Sequence, residues 1–166
     1  MPVKLLIAAD SHGDSGRLMD AVEANPDANA LIFLGDGARD VEWLENAYPK
    51  LKLYAVRGNC DMMSFSPVEG LAPFGGLLIF YTHGHLFSVK TGLYDLADAA
   101  RARGADIALY GHTHEPALTQ IDGVWLFNPG ALSYTRGGEG PTYGVLTIDA
   151  DKVPHFEHRH FRPASL

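Results

Sequence analysis

The chain has 166 residues and a mass of 18.0 kDa, and its composition, 46% hydrophobic and 20% charged, is that of an average globular protein. Its formal charge of -7 argues against a broad basic face for nucleic acid, although a local cationic pocket for a small ligand is compatible with it. A single cysteine excludes an intrachain disulfide, and the first apolar run, residues 3–9, is too short for a signal peptide or a membrane span, so we expect one cytoplasmic domain over residues 1–166.

The first part of the chain alternates between strands and helices. Its predicted elements are a strand at 3–9, a helix at 15–25 ended by Pro26, a strand at 30–34, a helix at 39–47 ended by Pro49, and a strand at 53–56. The strands are continuous apolar runs, which is typical of a sheet covered on both faces. This order predicts parallel strands joined by helices.

The second part is rich in hairpins. Further strands are predicted at 77–82 and 106–110, with a helix over 91–103 between them. Turns split the stretches 68–82, 117–127 and 143–161, at Gly75 and Gly76, at Asp122 and Gly123, and around residues 149–151. The whole pattern predicts a mixed architecture of strands and helices, compatible with two packed sheets, rather than a purely doubly wound fold.

Polar side chains that commonly bind metals follow each of the five apolar strands. They are Asp10 and His12 after the first strand, Asp36 after the second, Asn59 after the third, His83 after the fourth, and His112 and His114 after the fifth. Ligands of open α/β sheets bind beyond the carboxyl ends of the strands, so residues far apart in sequence would converge on one crevice.

Mixed oxygen and nitrogen ligands of this kind suit two divalent cations. The carboxylate of Asp36 has two oxygens and would be able to bridge them. Bridged cations about 3.5–4 Å apart serve in-line displacement at phosphorus. The pattern therefore predicts hydrolysis of a phosphate ester.

Five short motifs occur in a fixed order along the chain: Asp10-Ser11-His12, Gly35-Asp36, Gly58-Asn59, His83-Gly84-His85 and Gly111-His112-Thr113-His114. Together they resemble the motifs of the calcineurin-like metallophosphoesterase superfamily. The short length, the sequence Gly58-Asn59-Cys60-Asp61 and the later Asn128-Pro129-Gly130 resemble its small bacterial and archaeal phosphodiesterase branch. The resemblance extends from residue 3 to the last hairpin.

The resemblance implies an α/β fold of two stacked mixed sheets flanked by helices, and a shared hydroxide as nucleophile. It implies that Asp10, His12 and His114 bind one metal, that Asn59, His83 and His112 bind the other, and that Asp36 bridges them. Manganese is the expected metal, with Fe, Zn, Ni and Co as alternatives. Two positions depart from the family pattern. Cys60 stands where many members have a histidine beside the substrate, and Ala131 stands where a serine is common.

The departure at Cys60 leaves the acid step open. We assign catalysis to Asp36, Asn59 and Cys60, with Cys60 as the occupant of the acid position. A role for Cys60 as a nucleophile is not favoured, because no general base is specified next to it. Asp61 either orients its neighbour or caps the turn, and the sequence does not choose between these roles.

Each predicted ligand also has a structural interpretation. Asp10 and Asp36 precede predicted helices and are suitable N-caps, and His83, His112 and His114 are alternatively buried histidines bonded to carbonyl groups. Their joint placement at strand ends favours metal binding.

Several polar residues outside the ligand set remain ambiguous. His85 has either an outer-shell role near the metals or a plain loop role. Arg136 would be able to reach a phosphate, but a surface loop is the favoured interpretation. For His155, His158 and His160 we predict a solvated edge strand rather than a second metal site, because His155 takes the opposite strand face.

The leading functional prediction is hydrolysis of a small phosphodiester, with no membrane and no extended nucleic-acid partner. A homo-oligomer is compatible with the sequence. A phosphomonoesterase or nucleotidase with the same metals is the first alternative, because contacts to the substrate lie outside these motifs. A protein-interaction scaffold is the second, because a eukaryotic retromer subunit resembles this branch and has a degraded metal site. Here all seven ligand positions hold competent residues, which argues against a scaffold.

Overall fold

The computed structural model describes residues 2–134 and 140–161, and in these two ranges ten strands form two five-stranded sheets. The elements are β1 (Val3–Ala8), α1 (Ser15–Glu23), β2 (Ala30–Phe33), α2 (Ala38–Ala47), β3 (Leu53–Ala55), β4 (Glu69–Phe74), β5 (Leu77–Thr82), a 3-10 helix (His85–Phe87), α3 (Tyr94–Ala102), β6 (Ile107–Leu109), β7 (Pro116–Ile121), β8 (Val124–Pro129), β9 (Thr142–Ile148) and β10 (Pro154–His160). In the same ranges, no helix is long and apolar enough to cross a membrane.

Both sheets are mixed, as the family resemblance implied. The first has the strand order β10-β9-β1-β2-β3. Strands β1, β2 and β3 are parallel to one another, β9 is antiparallel to β1, and β10 is antiparallel to β9. The second has the order β4-β5-β6-β8-β7, with β5, β6 and β8 parallel and the two outer strands antiparallel. The three predicted hairpins are β4–β5, β7–β8 and β9–β10. The predicted α/β fold class is confirmed.

The continuous apolar strands are explained by layers on both faces of each sheet. In β1, Leu5 and Ile7 pack between the two sheets, whereas Leu6 and Ala8 pack against the side that α1 and α2 cover. The outer face of the second sheet packs on α3 through a separate cluster that includes Phe80. The layers therefore run helices, sheet, sheet, helix, and the carboxyl ends of the parallel strands open at the edge of the inner core.

The helices begin close to the predicted positions, with one exception. We predicted a third helix from residue 91, but α3 begins at Tyr94. Gly92 has a φ of 154°, which a right-handed helix does not accommodate, so the helix begins only after it. The prediction of that start was therefore wrong by three residues.

Candidate metal centre

Five of the seven predicted ligands have a left-handed backbone conformation. Positive φ is uncommon for residues other than glycine, and eight such residues have it in the part of the chain that the structure describes. The five predicted ligands among them are Asp10 (55°), His12 (44°), Asp36 (60°), His112 (72°) and His114 (59°). Such strain costs about 1–3 kcal/mol per residue and concentrates at functional sites. The loops after β1, β2 and β6 therefore hold conformations that local backbone preferences do not favour.

The first cluster of potential ligands consists of Asp10, His12 and His114. Asp10 is fully buried, and its Oδ2 accepts a hydrogen bond of 3.0 Å from the backbone N–H of His112. Its Oδ1 has no hydrogen-bond partner among the described residues. This oxygen lies 3.8 Å from Nε2 of His12 and 3.6 Å from Nε2 of His114. One ligand atom of each residue lies within 4.8 Å of the other two.

The second cluster consists of Asp36, His83 and His112. Nε2 of His83 lies 3.2 Å from Oδ2 of Asp36 and 3.2 Å from Nδ1 of His112. The same nitrogen is 3.7 Å from the unpartnered Oδ1 of Asp10. These three residues also satisfy the 4.8 Å spacing. The fully buried His83 thus belongs to the second cluster and also lies next to Asp10 of the first.

Asp36 contacts both clusters through one carboxylate. Its Oδ2 is 3.2 Å from His83 and 3.8 Å from Nε2 of His12, which belongs to the first cluster. Its Oδ1 accepts a hydrogen bond of 2.8 Å from the backbone N–H of Cys60. His12, Asp36 and Cys60 form a third group with the same spacing. The carboxylate of Asp36 therefore lies between His12 of the first cluster and His83 of the second.

Two of the histidines have their ring tautomers fixed by carbonyl groups. Nδ1 of His83 donates to the carbonyl oxygen of Leu34 at 2.7 Å, and Nδ1 of His114 donates to that of Tyr134 at 3.2 Å. A carbonyl oxygen only accepts, so Nδ1 carries a proton in each ring, and in the neutral ring Nε2 presents its lone pair to the cluster. When His83 is protonated, its Nε2 instead donates to Oδ2 of Asp36 at 3.2 Å. The structural interpretation of these histidines, a hydrogen bond to a backbone carbonyl, therefore holds for Nδ1 of His83 and His114. Their Nε2 atoms are not used by these hydrogen bonds.

Burial and neighbouring charges shift the pKa values of His83, His112 and Asp36 in different directions. Burial lowers the pKa of His83, but the hydrogen bond to Asp36 and the charges of Asp10 and Asp36 outweigh it and raise the pKa. Burial, followed by the charges of His83 and Lys90, lowers the pKa of His112 to about 4. Burial would raise the pKa of Asp36, but the hydrogen bond from His83 holds it well below its usual range. At neutral pH, Asp36 is ionised and His112 is neutral, as metal binding requires.

Cys60 stands beside the cluster as an exposed thiol. Desolvation by its neighbours, followed by the negative charge of Asp36, raises the pKa of this thiol. The thiol is therefore protonated at neutral pH. A neutral thiol is a weak nucleophile and a weak hydrogen-bond donor.

Asp61 holds two of the ligand loops together. Its Oδ2 accepts hydrogen bonds from the backbone N–H groups of Asp36 (2.7 Å) and Gly58 (2.9 Å). Its Oδ1 accepts from Gly37 and Ala38, both at 3.0 Å, at the start of α2. Asp61 therefore caps α2 and fixes the loop after β2 to the loop after β3, a double role that the sequence left undecided.

A second carboxylate supports the loop after β1. Asp40 is buried in α2, and its Oδ2 accepts hydrogen bonds from Oγ of Ser11 at 2.5 Å and from the backbone N–H of Gly13 at 2.9 Å. These two donors flank His12. Sequence reasoning missed Asp40, because nothing in a helical aspartate indicates which loop it will meet.

The proposed N-cap roles of Asp10 and Asp36 are wrong. The side chain of Asp14 caps α1 by accepting from the backbone N–H of Arg17 at 3.0 Å, and α2 has Gly37 at its N-cap position with Asp61 bound to it. The carboxylates of Asp10 and Asp36 point into the clusters instead.

The clusters open into a cleft of about 230 Å³. It is lined by His12, Asp36, Asn59, Cys60, Lys90, His112, His114 and Tyr134. Asn59 is exposed there, with its amide nitrogen 3.7 Å from Sγ of Cys60. Lys90 and Tyr134 were not predicted, since neither belongs to a motif or follows a predicted strand. Lys90 adds a positive charge at the place where an anionic ligand would enter.

His85 belongs to none of the potential ligand groups found among the described residues. Its ring lies 5.4 Å from that of His83 and 6.2 Å from that of His112, and its buried Nδ1 has no hydrogen-bond partner in the described ranges. The structure thus places His85 beside two predicted ligands, and its omission from the ligand set stays a prediction.

The remaining ambiguous residues divide into three cases. His155 and His160 are exposed on the edge strand β10, as predicted, and His155 lies 3.2 Å from Asp149. The prediction of a solvated position is wrong for His158, because its ring stacks on Phe127 at 4.7 Å and its Nε2 bonds the carbonyl of Asn128 at 2.7 Å. Arg136 lies outside the described residues.

The chemistry of the donors fits divalent cations. Carboxylate oxygens and neutral imidazole nitrogens are ligands shared by Mn, Fe, Co, Ni and Zn. A buried carboxylate oxygen without a hydrogen-bond donor is costly, and a cation placed between it and the surrounding imidazoles would satisfy it. Asp36 occurs in two of the three groups of potential ligands found among the described residues.

Comparison with known proteins places this site in a family. Residues 3–151 match the model of the calcineurin-like phosphoesterase superfamily domain. The chain is 38% identical over 177 residues to phosphodiesterase MJ0936 of Methanocaldococcus jannaschii, with 93% of this chain and 98% of that protein covered. It is 32% identical over 178 residues to phosphodiesterase YfcE of Escherichia coli K12, with 91% of each covered.

Solved structures share the same fold. A predicted phosphoesterase from Streptococcus pneumoniae aligns with a TM-score of 0.79 at 25% identity, over 96% of this chain and 99% of that one. Vacuolar protein sorting 29 of Cryptosporidium parvum aligns with a TM-score of 0.75 over 98% and 99% of the two chains. Its identity is 18%, which shows the fold alone.

Proposed function

This chain belongs to the calcineurin-like phosphoesterase superfamily and is a metal-dependent phosphoesterase, and from this we propose that it hydrolyses phosphodiesters with two divalent cations. The proposed ligands are Asp10, His12, Asp36, Asn59, His83, His112 and His114. The names of the two phosphodiesterase relatives support a diester rather than a monoester as the substrate.

The unpartnered oxygen of Asp10 is the observation that carries the proposal. It is buried and lies 3.6–3.8 Å from three imidazole nitrogens. A polar atom in this position costs about 1–3 kcal/mol when left without a partner. A cation between Asp10, His12 and His114 would remove that cost.

The second cation would lie between Asn59, His83 and His112, and Asp36 would be shared. When bound, the cations would supply an activated water and the positive charge that displacement at phosphorus requires. Asp36 and Asp10 hold the negative charge of the site, and the carbonyl of Leu34 keeps His83 in the tautomer that presents Nε2. Manganese is our first choice of metal.

The other side chains of the cleft would act on the substrate. Lys90 stands where it would attract the phosphate anion. Asn59 and Cys60 line the same cleft, and the neutral thiol would give weak assistance to the departing oxygen. We expect the cytoplasm as the location.

Replacement of Asp36 tests the proposal. After chelation and addition of Mn²⁺, we expect the native protein to cleave bis(4-nitrophenyl) phosphate faster than 4-nitrophenyl phosphate. Asp36→Ala should lose more than a hundredfold in kcat/KM. Asp149→Ala is the matched control, because it removes a carboxylate that also accepts backbone hydrogen bonds, in the β9–β10 turn. Wild-type rates in Asp36→Ala would overturn the two-cation assignment, and a preference for the monoester would favour a phosphomonoesterase.

A further inference from the structure

Exposed apolar side chains gather beside the metal centre. Of the ten large apolar side chains that are exposed in the described part of the chain, four lie between residues 43 and 65. They are Trp43 (62% exposed), Met62 (87%), Met63 (91%) and Phe65 (104%). Large exposed apolar patches mark binding sites more often than scattered residues do.

Two of these side chains occupy an unusual place in the backbone. The N–H of Ser64 donates to the carbonyl of Asp61 at 3.1 Å, which makes residues 61–64 a β-turn with Met62 and Met63 at its two central positions. Glycine, proline, asparagine, aspartate and serine are the residues that suit those positions. The turn itself therefore gives no reason for two exposed methionines.

This methionine turn, residues 61–64, is firmly anchored. Asp61 accepts four backbone hydrogen bonds, and the N–H of Arg57 donates to the carbonyl of Pro67 at 2.9 Å at the base of the loop. The two methionines are thus held at a fixed distance from the loop that carries Asp36. Their flexible thioether side chains suit apolar ligands of variable shape.

The turn shares one groove with the metal centre. A groove of about 580 Å³ has His12, Asp36 and Cys60 at one end and Met62, Met63 and Arg39 among its other lining residues. Two neighbouring hollows share lining residues with this groove: one, at Trp43, shares Arg39 and Glu42, and the other, at Phe65, shares Ala38 and Ser64. A molecule whose phosphorus lies at the metal ligands would therefore reach the two methionines within the same groove.

The charges of the groove favour an uncharged occupant. Among its described lining residues Arg39 is the one Lys or Arg, and Glu42 is exposed near it. The carboxylates of Asp40 and Asp61 are already bound by hydrogen-bond donors. A polyphosphate or nucleic-acid strand would find no row of cations here.

On the basis of the proposed function, we propose that the groove from the metal centre to the methionine turn binds an uncharged, apolar ester arm of the phosphodiester substrate. The substrate class is then a diester of at least one hydrophobic alcohol or phenol. Complete burial of one CH₂ group would raise affinity about fourfold, and an open groove that covers half of it would raise affinity about twofold.

Symmetric diaryl phosphates test the subsite. Diphenyl, bis(4-ethylphenyl) and bis(4-butylphenyl) phosphate place the same arm in the groove in either orientation, and their leaving groups keep a pKa of about 10, like that of tyrosine. For the manganese-loaded wild type we expect kcat/KM to rise about twofold for each carbon added to an arm. The double variant Met62→Ser, Met63→Ser should lose this gradient, so that its kcat/KM is the same within about twofold for the three diesters.

Val153→Ser is the matched control, because Val153 is also exposed but lies at the opposite end of the first sheet, beside the strand end that pairs with Val3. It should keep the full gradient. A flat dependence on arm length in the wild type, or a gradient that persists in the double variant, would overturn the subsite alone. No turnover of any diester would overturn the proposed function and the subsite together. A wild-type oligomer that becomes monomeric in the double variant with an unchanged gradient would assign the methionines to self-association and overturn the subsite.

Discussion

His112 combines a half-buried imidazole with a backbone φ of 72°, a conformation that glycine adopts without strain. We therefore expect metal-free His112→Gly to be more stable than metal-free His112→Ala by about 1 kcal/mol, the reverse of the usual effect of glycine. Denaturant unfolding with chelator present measures the difference. A more stable His112→Ala would show that the loop relaxes once the imidazole is removed and that the site does not store strain.

Cys60 offers a chemical test at the same scale. Its neutral thiol is a weak donor, so leaving-group assistance should be poor and log k should depend steeply on leaving-group pKa. Cys60→His, if it retains both metals, should accelerate the esters of poor leaving groups selectively and flatten this slope. Cys60→Ala should change the slope little. An unchanged slope in Cys60→His, or a large loss of rate in Cys60→Ala, would show that Cys60 is not a passive occupant of the acid position.

Among the secondary-structure elements, α2 connects the ligand loops. Asp40 within it supports the loop after β1, and Asp61 joins its first turn to the loops after β2 and β3. Outer-shell partners of metal ligands typically change metal affinity by 10–100-fold. The two carboxylates should therefore affect the two metal positions differently.

We expect Asp40→Ala to weaken mainly the position at Asp10, His12 and His114, and Asp61→Asn to weaken both positions because Asp61 supports the loop of the shared Asp36, each by about tenfold or more. In Asp61→Asn an NH₂ group replaces an oxygen that accepts two backbone donors. Anomalous scattering from crystals soaked in limiting Mn²⁺ gives the occupancy of each position. Equal losses at both positions in Asp40→Ala would contradict this division, and Asp149→Ala should leave both occupancies unchanged.

The strands and their carboxyl ends were predictable because β1, β2, β5 and β6 are short apolar runs that stop at polar residues. The support of the site was not predictable in the same way. Asp61 acquires its four donors only when loops from two strands meet, and Lys90 reaches the cleft from a segment without a motif. The same limit explains His158, whose ring was expected in solvent but stacks on Phe127 of the other sheet.

On the scale of the whole molecule, residues from both sheets share one hydrophobic cluster, and we propose that they form a single domain. The predicted ligands come from both sheets: Asp10 and Asp36 follow strands of the first, and His83 and His112 follow strands of the second. Metal binding should therefore stabilise the packing of one sheet on the other. At a hundred times its dissociation constant, Mn²⁺ would contribute about 2.7 kcal/mol per independent site.

This stabilisation should increase with pH. The pKa of His83 is raised above its ordinary value of 6.5, so a proton competes with the metal for Nε2 in mildly acidic solution. His112, with a pKa of about 4, carries no competing proton at pH 6. In the metal-free protein, the stability that charged His83 contributes is present below pH 6.5 and is lost as pH rises through its folded-state pKa. The rise in Tm caused by Mn²⁺ should therefore be larger at pH 8 than at pH 6, and equal rises would contradict the assignment of His83 as a ligand.

The central claim is that one chain gathers two cations around a shared Asp36. The most direct measurement is the metal content of purified protein that has been chelated, reloaded with Mn²⁺ and passed through a desalting column, determined by mass spectrometry of the metal per mole of chain. We predict a content close to two in the native protein and well below two in Asp36→Ala. A native content of one or none, or an Asp36→Ala variant that retains two, would contradict the claim.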